Sequence, residues 1–334
     1  MHDIGQGTVV VTGGAGLIGS AIVWGINNLN LENIWVVDDV EPDSLKARNL
    51  EPLKFNKKIG VEEFRSLFNK KSSQLEEVKT VIHLGACSST TETNEDYLNQ
   101  NNFTYTKELC EWSLENNVRF VYASSASTYG DGKSGMNDKD EDIEKFRPLN
   151  LYGWSKHNFD LHAKKNGWLK KIVGLKYFNV FGPNEEHKEN MRSVVSKSYE
   201  QITSAGEMTL FKSYHPDFKD GMQMRDFLYV KDAVCMTLWL TQNKKANGLF
   251  NLGSGLARTW VDLATAIFSA LNQKPNIRYI EMPSSLQDKY QNFTEANVEK
   301  LTESGFPVNL FSLEEAVKDY VVNYLETDRR LGSP

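Results

Sequence analysis

Cysteine is scarce in this chain: Cys87, Cys110 and Cys235 are the only three among 334 residues. Odd in number and widely spaced, they make neither a disulfide framework nor a metal-ligand pattern. No metal is expected, and a reducing cytoplasm is the simplest home. Long apolar runs are missing as well; none approaches the roughly 18 residues of a membrane span. The apolar stretch "VVVTGGAGLIG" is broken by four glycines and follows no basic leader, which argues against a secretory signal. Basic charge is in deficit, 38 Lys and Arg against 44 Asp and Glu, for a net charge of −6. Bulk electrostatics therefore recruits neither nucleic acid nor a membrane surface, and an anionic ligand would need a local basic site. Repeats and low-complexity tracts are absent. What remains is ordinary globular composition, 40% hydrophobic and 25% charged. The length suits two domains, or one large domain with an insertion.

Short apolar runs alternate with amphipathic stretches through the first half. "TVVVT" (Thr8–Thr12), "NIWVVDD" (Asn33–Asp39), "KTVIHLGA" (Lys79–Ala86), "VRFVYASS" (Val118–Ser125) and "KIVGLKYFNV" (Lys171–Val180) read as strands. Between them lie helical patterns, the longest in "EDYLNQNNFTYTKELCEWSLENN". Continuous apolar strands separated by helices predict a parallel sheet covered on both faces, the doubly wound α/β class. The second half is less regular. "MRSVVSKSYEQITSAG" and "KDAVCMTLWLTQN" read as helices, "RDFLYV" and "GLFNLG" as strands. Ser312 and Glu315 form a capping box at the head of a last helix. The expected division is a sheet domain, 1–178 plus about 227–257, and a smaller mixed α/β domain, about 179–226 plus 258–330.

"VVVTGGAGLIGS" sets Gly14, Gly16 and Gly19 in a G-x-G-x-x-G pattern; Gly13, Gly16 and Gly19 also fit G-x-x-G-x-x-G. The pattern follows a predicted strand and opens a predicted helix, the context a dinucleotide site requires. Glycine lets the backbone approach a pyrophosphate, and the helix N-terminus offers free N–H groups. Asp38 ends the next strand, where a carboxylate would meet the adenosine ribose in a Rossmann-type domain. Asp38 alone suggests NAD. Lys46 and Arg48 follow closely, and a cation there would accept the 2′-phosphate of NADP, so both cofactors stay open on these residues.

Ser124 and Ser125 end the "VRFVYASS" strand, on the edge where open α/β sheets bind ligands. Tyr152 and Lys156 in "YGWSK" lie one helical turn apart and share a face. A phenol of pKa about 10 is a poor base near neutrality unless a cation draws that value down. Lys156 is placed to do so, the serine to bond the substrate oxygen, and Tyr152 to act as general acid/base. Lys188 and His187, in "NEEHKEN", read by themselves as loop residues, His83 as a packed core histidine and Cys87 as packing.

"TGGAGLIG", "SSASTYG", "YGWSK" and "YFNVFGP" together resemble the extended short-chain dehydrogenase/reductase family of nucleotide-sugar-modifying enzymes. "ACSSTTE", "YFNVFGPNEEHK", "MRDFLYVKD" and "YQNFTEA" are similar, within that family, to epimerases that act on an ADP-linked heptose. The resemblance runs from Thr8 to Tyr324. It implies tightly held NADP, oxidation of the sugar's C6 to a ketone and return of the hydride to the opposite face. Acid/base help on two faces falls by motif to Tyr152 and Lys188, beside Ser125 and Lys156. On the cofactor side the resemblance implies Gly13, Gly16, Leu17, Ile18, Gly19, Asp38, Asp39, Lys46, Leu84, Gly85, Ala86, Cys87, Ser88, Asn101, Tyr152, Lys156, Val180 and Lys188. On the substrate side it implies Ser125, Asn179, Asn190, Lys197, Phe211, Lys212, Ser213, Tyr214, Arg225 and Tyr290. Leu84, Asn190, Lys197 and Val61 depart from residues often found at those places. The product would serve lipopolysaccharide synthesis, the partner would be the nucleotide sugar, and a homo-oligomer is expected. The competing expectations are a UDP-hexose 4-epimerase and a cofactor-sensing protein without catalysis. A 4,6-dehydratase is disfavoured, because Ala126 and Ser127 stand where that group places an Asp-Glu pair.

Overall fold

In the computed structural model, which describes residues 1–287 and 290–334, the first apolar run is the middle of a sheet. Val9, Val10 and Val11 of β1 (Thr8–Thr12) are buried on both faces. Such β-branched side chains suit a pleated interior, and each fully buried one contributes about 1.5–3 kcal/mol. Beside β1 lie β2 (Ile34–Val37), β3 (Lys57–Ile59), β4 (Val78–His83), β5 (Arg119–Ser125) and β6 (Val173–Tyr177). The remaining strands are β7 (Asn179–Phe181), β8 (Met208–Phe211), β9 (Met224–Tyr229), β10 (Gly248–Leu252), β11 (Ala257–Thr259) and β12 (Ile277–Ile280).

Seven strands form one sheet in the order β10-β6-β5-β4-β1-β2-β3, with every neighbouring pair parallel. The chain winds outward through β2 and β3, then crosses to β4 on the other side of β1. That reversal opens a crevice beyond the C-terminal ends of β1 and β4, the usual ligand site of such sheets. Below it, the Thr12 hydroxyl accepts from the Leu84 and Gly85 N–H groups (3.2 and 3.0 Å) and meets His83 Nδ1 at 2.7 Å. His83 Nε2 meets the Thr106 hydroxyl at 2.9 Å. Burial lowers the His83 pKa to about 3, so this histidine is a neutral strut between strand and helix.

Several boundaries differ from the sequence reading. The run Lys171–Val180 is two strands: β6 stops at Tyr177, and β7 pairs with β9 in a separate sheet of order β11-β9-β7. The return to the large sheet is made by β10, on β6. β3 escaped notice because it is short and carries two lysines, a composition typical of an edge. β8 and β12 form a small parallel pair. The long helix after β4 is Glu95–Leu98 and Tyr105–Glu115, joined by a π-helical stretch at Asn99–Thr104. The capping box on Leu313–Tyr320 is present, with Ser312 and Glu315 bonded reciprocally. Among the described residues no helix is long and apolar enough to cross a membrane.

Candidate functional site

The crevice is a cavity of about 930 Å³, close to the top of the range for small-molecule sites, about 300–1,000 Å³. One wall is the glycine turn. Gly13 has φ of +65°, which favours glycine, and a Cβ on Gly19 would sit 2.0 Å from the Gly13 carbonyl oxygen. The turn therefore closes on itself and delivers the helix Leu17–Asn27 directly at the cavity. That helix has Gly16 as N-cap, no capping side chain and no acid in its first turn. Its N–H groups and dipole are thus uncompensated where Gly16, Leu17 and Ile18 line the cavity. These residues fit the pyrophosphate of a dinucleotide.

At the next strand end, Asp38 is buried and committed on both oxygens. Oδ2 accepts from the Ala15 N–H at 2.9 Å, and Oδ1 accepts from Lys46 Nζ at 2.5 Å. This end of the cavity therefore carries an ion pair rather than a bare acid. Asp39 turns its Oδ1 to the Val61 N–H at 3.0 Å, and both residues line the cavity. Opposite, Leu84, Gly85, Ala86, Cys87 and Ser88 form a wall after β4. Asn102 fixes that wall from behind. It accepts from the Cys87 N–H at 2.8 Å and donates to the Cys87 carbonyl and to Ser155 Oγ, both at 2.9 Å. The sequence reading chose its exposed-side neighbour Asn101, which does line the cavity, and missed Asn102.

Ser125 ends β5 and caps the short helical turn Ala126–Tyr129, accepting from the Ser127 N–H at 3.1 Å. Asn150 caps the helix Leu151–Lys165 by accepting from the Gly153 N–H at 2.7 Å. These two caps aim Ser125, Tyr152 and Lys156 into the cavity together. Burial raises the Tyr152 phenol, and the Ser125 hydroxyl works against that rise. Burial lowers Lys156 to about 8, with Asp160, one turn on, pulling the other way. In the chain as it stands the Ser125 hydroxyl acts against the Tyr152 rise, and Lys156 stands one turn along the same helix. Asp160 itself holds Lys176 Nζ at 2.7 Å and accepts from Tyr122 and Ser124, both at 2.8 Å.

Across the cavity, β7 brings Asn179 and Val180, and the irregular stretch Glu186–Met191 brings Lys188. Lys188 is half-buried, and burial lowers its pKa while Glu185 opposes that. His187 also lines the cavity, and burial lowers it to about 4, so it is neutral near pH 7. Arg225, 7% exposed, lies over the rings of Tyr290 (5.0 Å) and Trp260 (5.6 Å). Among the described residues no carboxylate pairs with it. Asp226 instead accepts from Ser254, Gly255 and Ala296, and Asp232 from the Phe311 N–H. Trp260 lines the cavity and donates to the Tyr290 hydroxyl at 2.8 Å; no motif pointed to it. Phe211, Lys212, Ser213, Tyr214, Asn190, Lys197, Arg225 and Tyr290 do not line the cavity, the last two lying behind Trp260, which does. Lys212 and Tyr214 converge on Glu281 at the surface, and Lys197 Nζ reaches the Asn190 carbonyl at 3.4 Å.

The model of the NAD dependent epimerase/dehydratase family matches residues 9–253. A Nitratidesulfovibrio vulgaris strain DP4 protein named ADP-L-glycero-D-manno-heptose-6-epimerase is 49% identical over 95% of this chain and 97% of its own length. One of the same name from Fusobacterium nucleatum subsp. nucleatum is 44% identical over 95% of this chain and 98% of its own. The crystal structure of the Helicobacter pylori ADP-L-glycero-D-manno-heptose-6-epimerase superposes with a TM-score of 0.78. It is 26% identical and covers 97% of this chain and 98% of its own.

Proposed function

The chain belongs to the NAD dependent epimerase/dehydratase family, and from that premise we propose that it is an epimerase of ADP-D-glycero-D-manno-heptose. It inverts C6 to give the L-glycero epimer by way of a transient 6-ketone. The observation that carries this reading is one cavity lined by two proton-handling groups on separate elements, Tyr152 and Lys188, together with the glycine turn. In the inversion a hydride leaves and returns at C6 while the proton leaves and returns at its oxygen, and two separately placed groups can serve that oxygen in its two orientations.

A bound nicotinamide cofactor supplies the hydride acceptor and donor. The chain's own residues do the rest. The Gly13–Gly19 turn would hold the pyrophosphate, and Lys46 with Asp38 the adenosine ribose. The engaged state of Asp38, with a lysine across it, supports NADP over NAD. Leu84 to Ser88, Asn101, Val180 and Lys156 would enclose the remainder. Ser125 would bond the reacting oxygen, while Tyr152 and Lys188 would exchange its proton from either side. Arg225, a buried cation flanked by aromatics and with no acid partner among the described residues, would meet the substrate's diphosphate with Tyr290 and Asn179. We keep the two-part division, with 179–226 and 258–330 as the sugar-nucleotide side, as part of this proposal. We further take the active form to be a homo-oligomer in the cytoplasm, serving lipopolysaccharide synthesis.

The test is to incubate the purified protein, without added cofactor, with ADP-D-glycero-D-manno-heptose and follow the C6 signals by proton NMR. Appearance of the second epimer is expected. An unchanged spectrum from protein that carries its nicotinamide cofactor would overturn the substrate assignment.

A further inference from the structure

Lys188 sits in an irregular segment, yet the backbone leading to it is fixed from four directions. Asn184 is fully buried with φ of +77°, a left-handed conformation that asparagine tolerates better than most residues. Its side-chain amide donates to Ser20 Oγ at 2.9 Å, on the helix that follows the glycine turn. Its Oδ1 accepts from the Leu331 N–H at 3.1 Å. Its carbonyl accepts from Asn49 Nδ2 at 3.0 Å. Asn49, also fully buried, donates through the same Nδ2 to the carbonyl of Ala15, inside the glycine turn, at 3.0 Å. That amide also lies 3.3 Å from His187 Nδ1, which is an acceptor in a neutral imidazole whose proton sits on Nε2. The segment is closed at its far end by Glu185, which accepts from the Ser193 N–H at 2.5 Å and the Ser193 hydroxyl at 2.6 Å. Arg330, 5% exposed, reaches Glu186 at 3.6 Å.

We propose that Asn49 and Asn184 are positioning residues that hold the Lys188 segment against the glycine turn. The inference rests on the reading of Lys188 as the second proton-handling group. Ala15 connects the two ends of the device: its N–H is held by Asp38 and its C=O by Asn49. Two buried amides thus join the glycine turn and its helix to the segment that carries Lys188. An apolar residue at 49 leaves the Ala15 and Asn184 carbonyls without this donor, and loss of the Asn184 amide leaves the Leu331 N–H without its acceptor and Ser20 Oγ without its donor.

The test uses hydrogen–deuterium exchange, read by mass spectrometry on peptides covering 184–193, in Asn184→Gly and Asn49→Leu. Glycine keeps the left-handed backbone and removes only the amide side chain. Exchange in 184–193 is expected to rise about tenfold, equivalent to about 1.4 kcal/mol, while peptides covering 119–125 stay unchanged. A uniform rise across both regions would mean general destabilisation and would overturn the assignment. Unchanged exchange in 184–193 for either variant overturns it for that residue. Turnover gives the second readout: kcat falls about tenfold with KM for the nucleotide sugar within about twofold, as expected for a group acting only in the chemical step. Should Asn184→Gly fail to fold, Asn49→Leu carries the test alone. A fully active Lys188→Ala would remove the acid/base reading of Lys188 and leave the exchange result standing, so the two failures are distinguishable.

Discussion

The two parts of the cavity wall that carry Tyr152 and Lys188 are built on different principles. Ser125, Tyr152 and Lys156 stand on β5 and a helix fifteen residues long, Leu151–Lys165. Backbone ladders and two side-chain caps fix them, and the parts are near in sequence. Lys188 stands on a 3₁₀ stretch interrupted at Glu189, whose φ is +48°. There, side-chain amides and a carboxylate from distant segments replace the ladder. The first wall is rigid because of its secondary structure, the second because of particular polar contacts. Regular structure tolerates substitution at most positions, whereas a polar hub fails with the loss of one member.

The comparison is sharpest at Tyr152. Tyr152→Phe keeps the ring and the helix, so the fold should be intact and kcat should fall by about 10²–10⁴-fold. Full activity in that variant, measured by the NMR assay, would sink the mechanism. Lys188→Ala should lose activity on the same scale while retaining cofactor, which absorbance of the purified protein would reveal. A variant that turned over normally would return Lys188 to the rank of a loop lysine.

Next in size is an effect on stability rather than chemistry. Asp160 and Lys176 form a wholly buried ion pair behind the first wall. Asp160→Asn leaves the lysine without its anion, and breaking such a pair costs about 3–5 kcal/mol. Thermal melting should show that loss, and an unchanged melting temperature would contradict it. The pH dependence follows from Lys156, which burial lowers to about 8. The group is protonated below that value and neutral above it. Cationic support for the Tyr152 phenolate is therefore present at neutral pH and lost as pH rises through about 8, so kcat should decline on the alkaline side. A rate still climbing at pH 9 would show that this cation is not needed. The smallest effect is expected for Lys46→Ala. Affinity for NADP should weaken about tenfold, as for one charge-assisted contact of about 1.5 kcal/mol, and NAD should be little affected. Equal losses for the two cofactors, by fluorescence titration, would assign Lys46 to the ion pair with Asp38 alone.

The first wall was legible in the sequence because its signals are local. The strand–glycine turn–helix order, Asp38 after β2 and the four-residue spacing of Tyr152 and Lys156 all lie within short windows. The parallel sheet was legible for the same reason: its strands are continuous apolar runs. β3, β8 and β12 were not, being short and half-exposed. Nor were Asn49, Asn102, Asp160 and Asn184. Asparagine and aspartate in isolation read as turn residues, and only contacts between segments far apart in sequence make them internal. Lys188 stood between these cases. Its residue type suggested solvent, and only the resemblance gave it a role. Trp260 carried no local signal at all, since a tryptophan opening an amphipathic helix is ordinary core material.

The pairing of β10 on β6 has a consequence for how the molecule is made. β6 ends at Tyr177, and its partner strand begins at Gly248. All of residues 178–247 must leave the ribosome before that edge can be covered. At about 5–20 residues per second this takes several seconds. Through that interval the nascent chain presents an open row of backbone donors and acceptors on an apolar strand, a natural target for a chaperone or for another nascent chain.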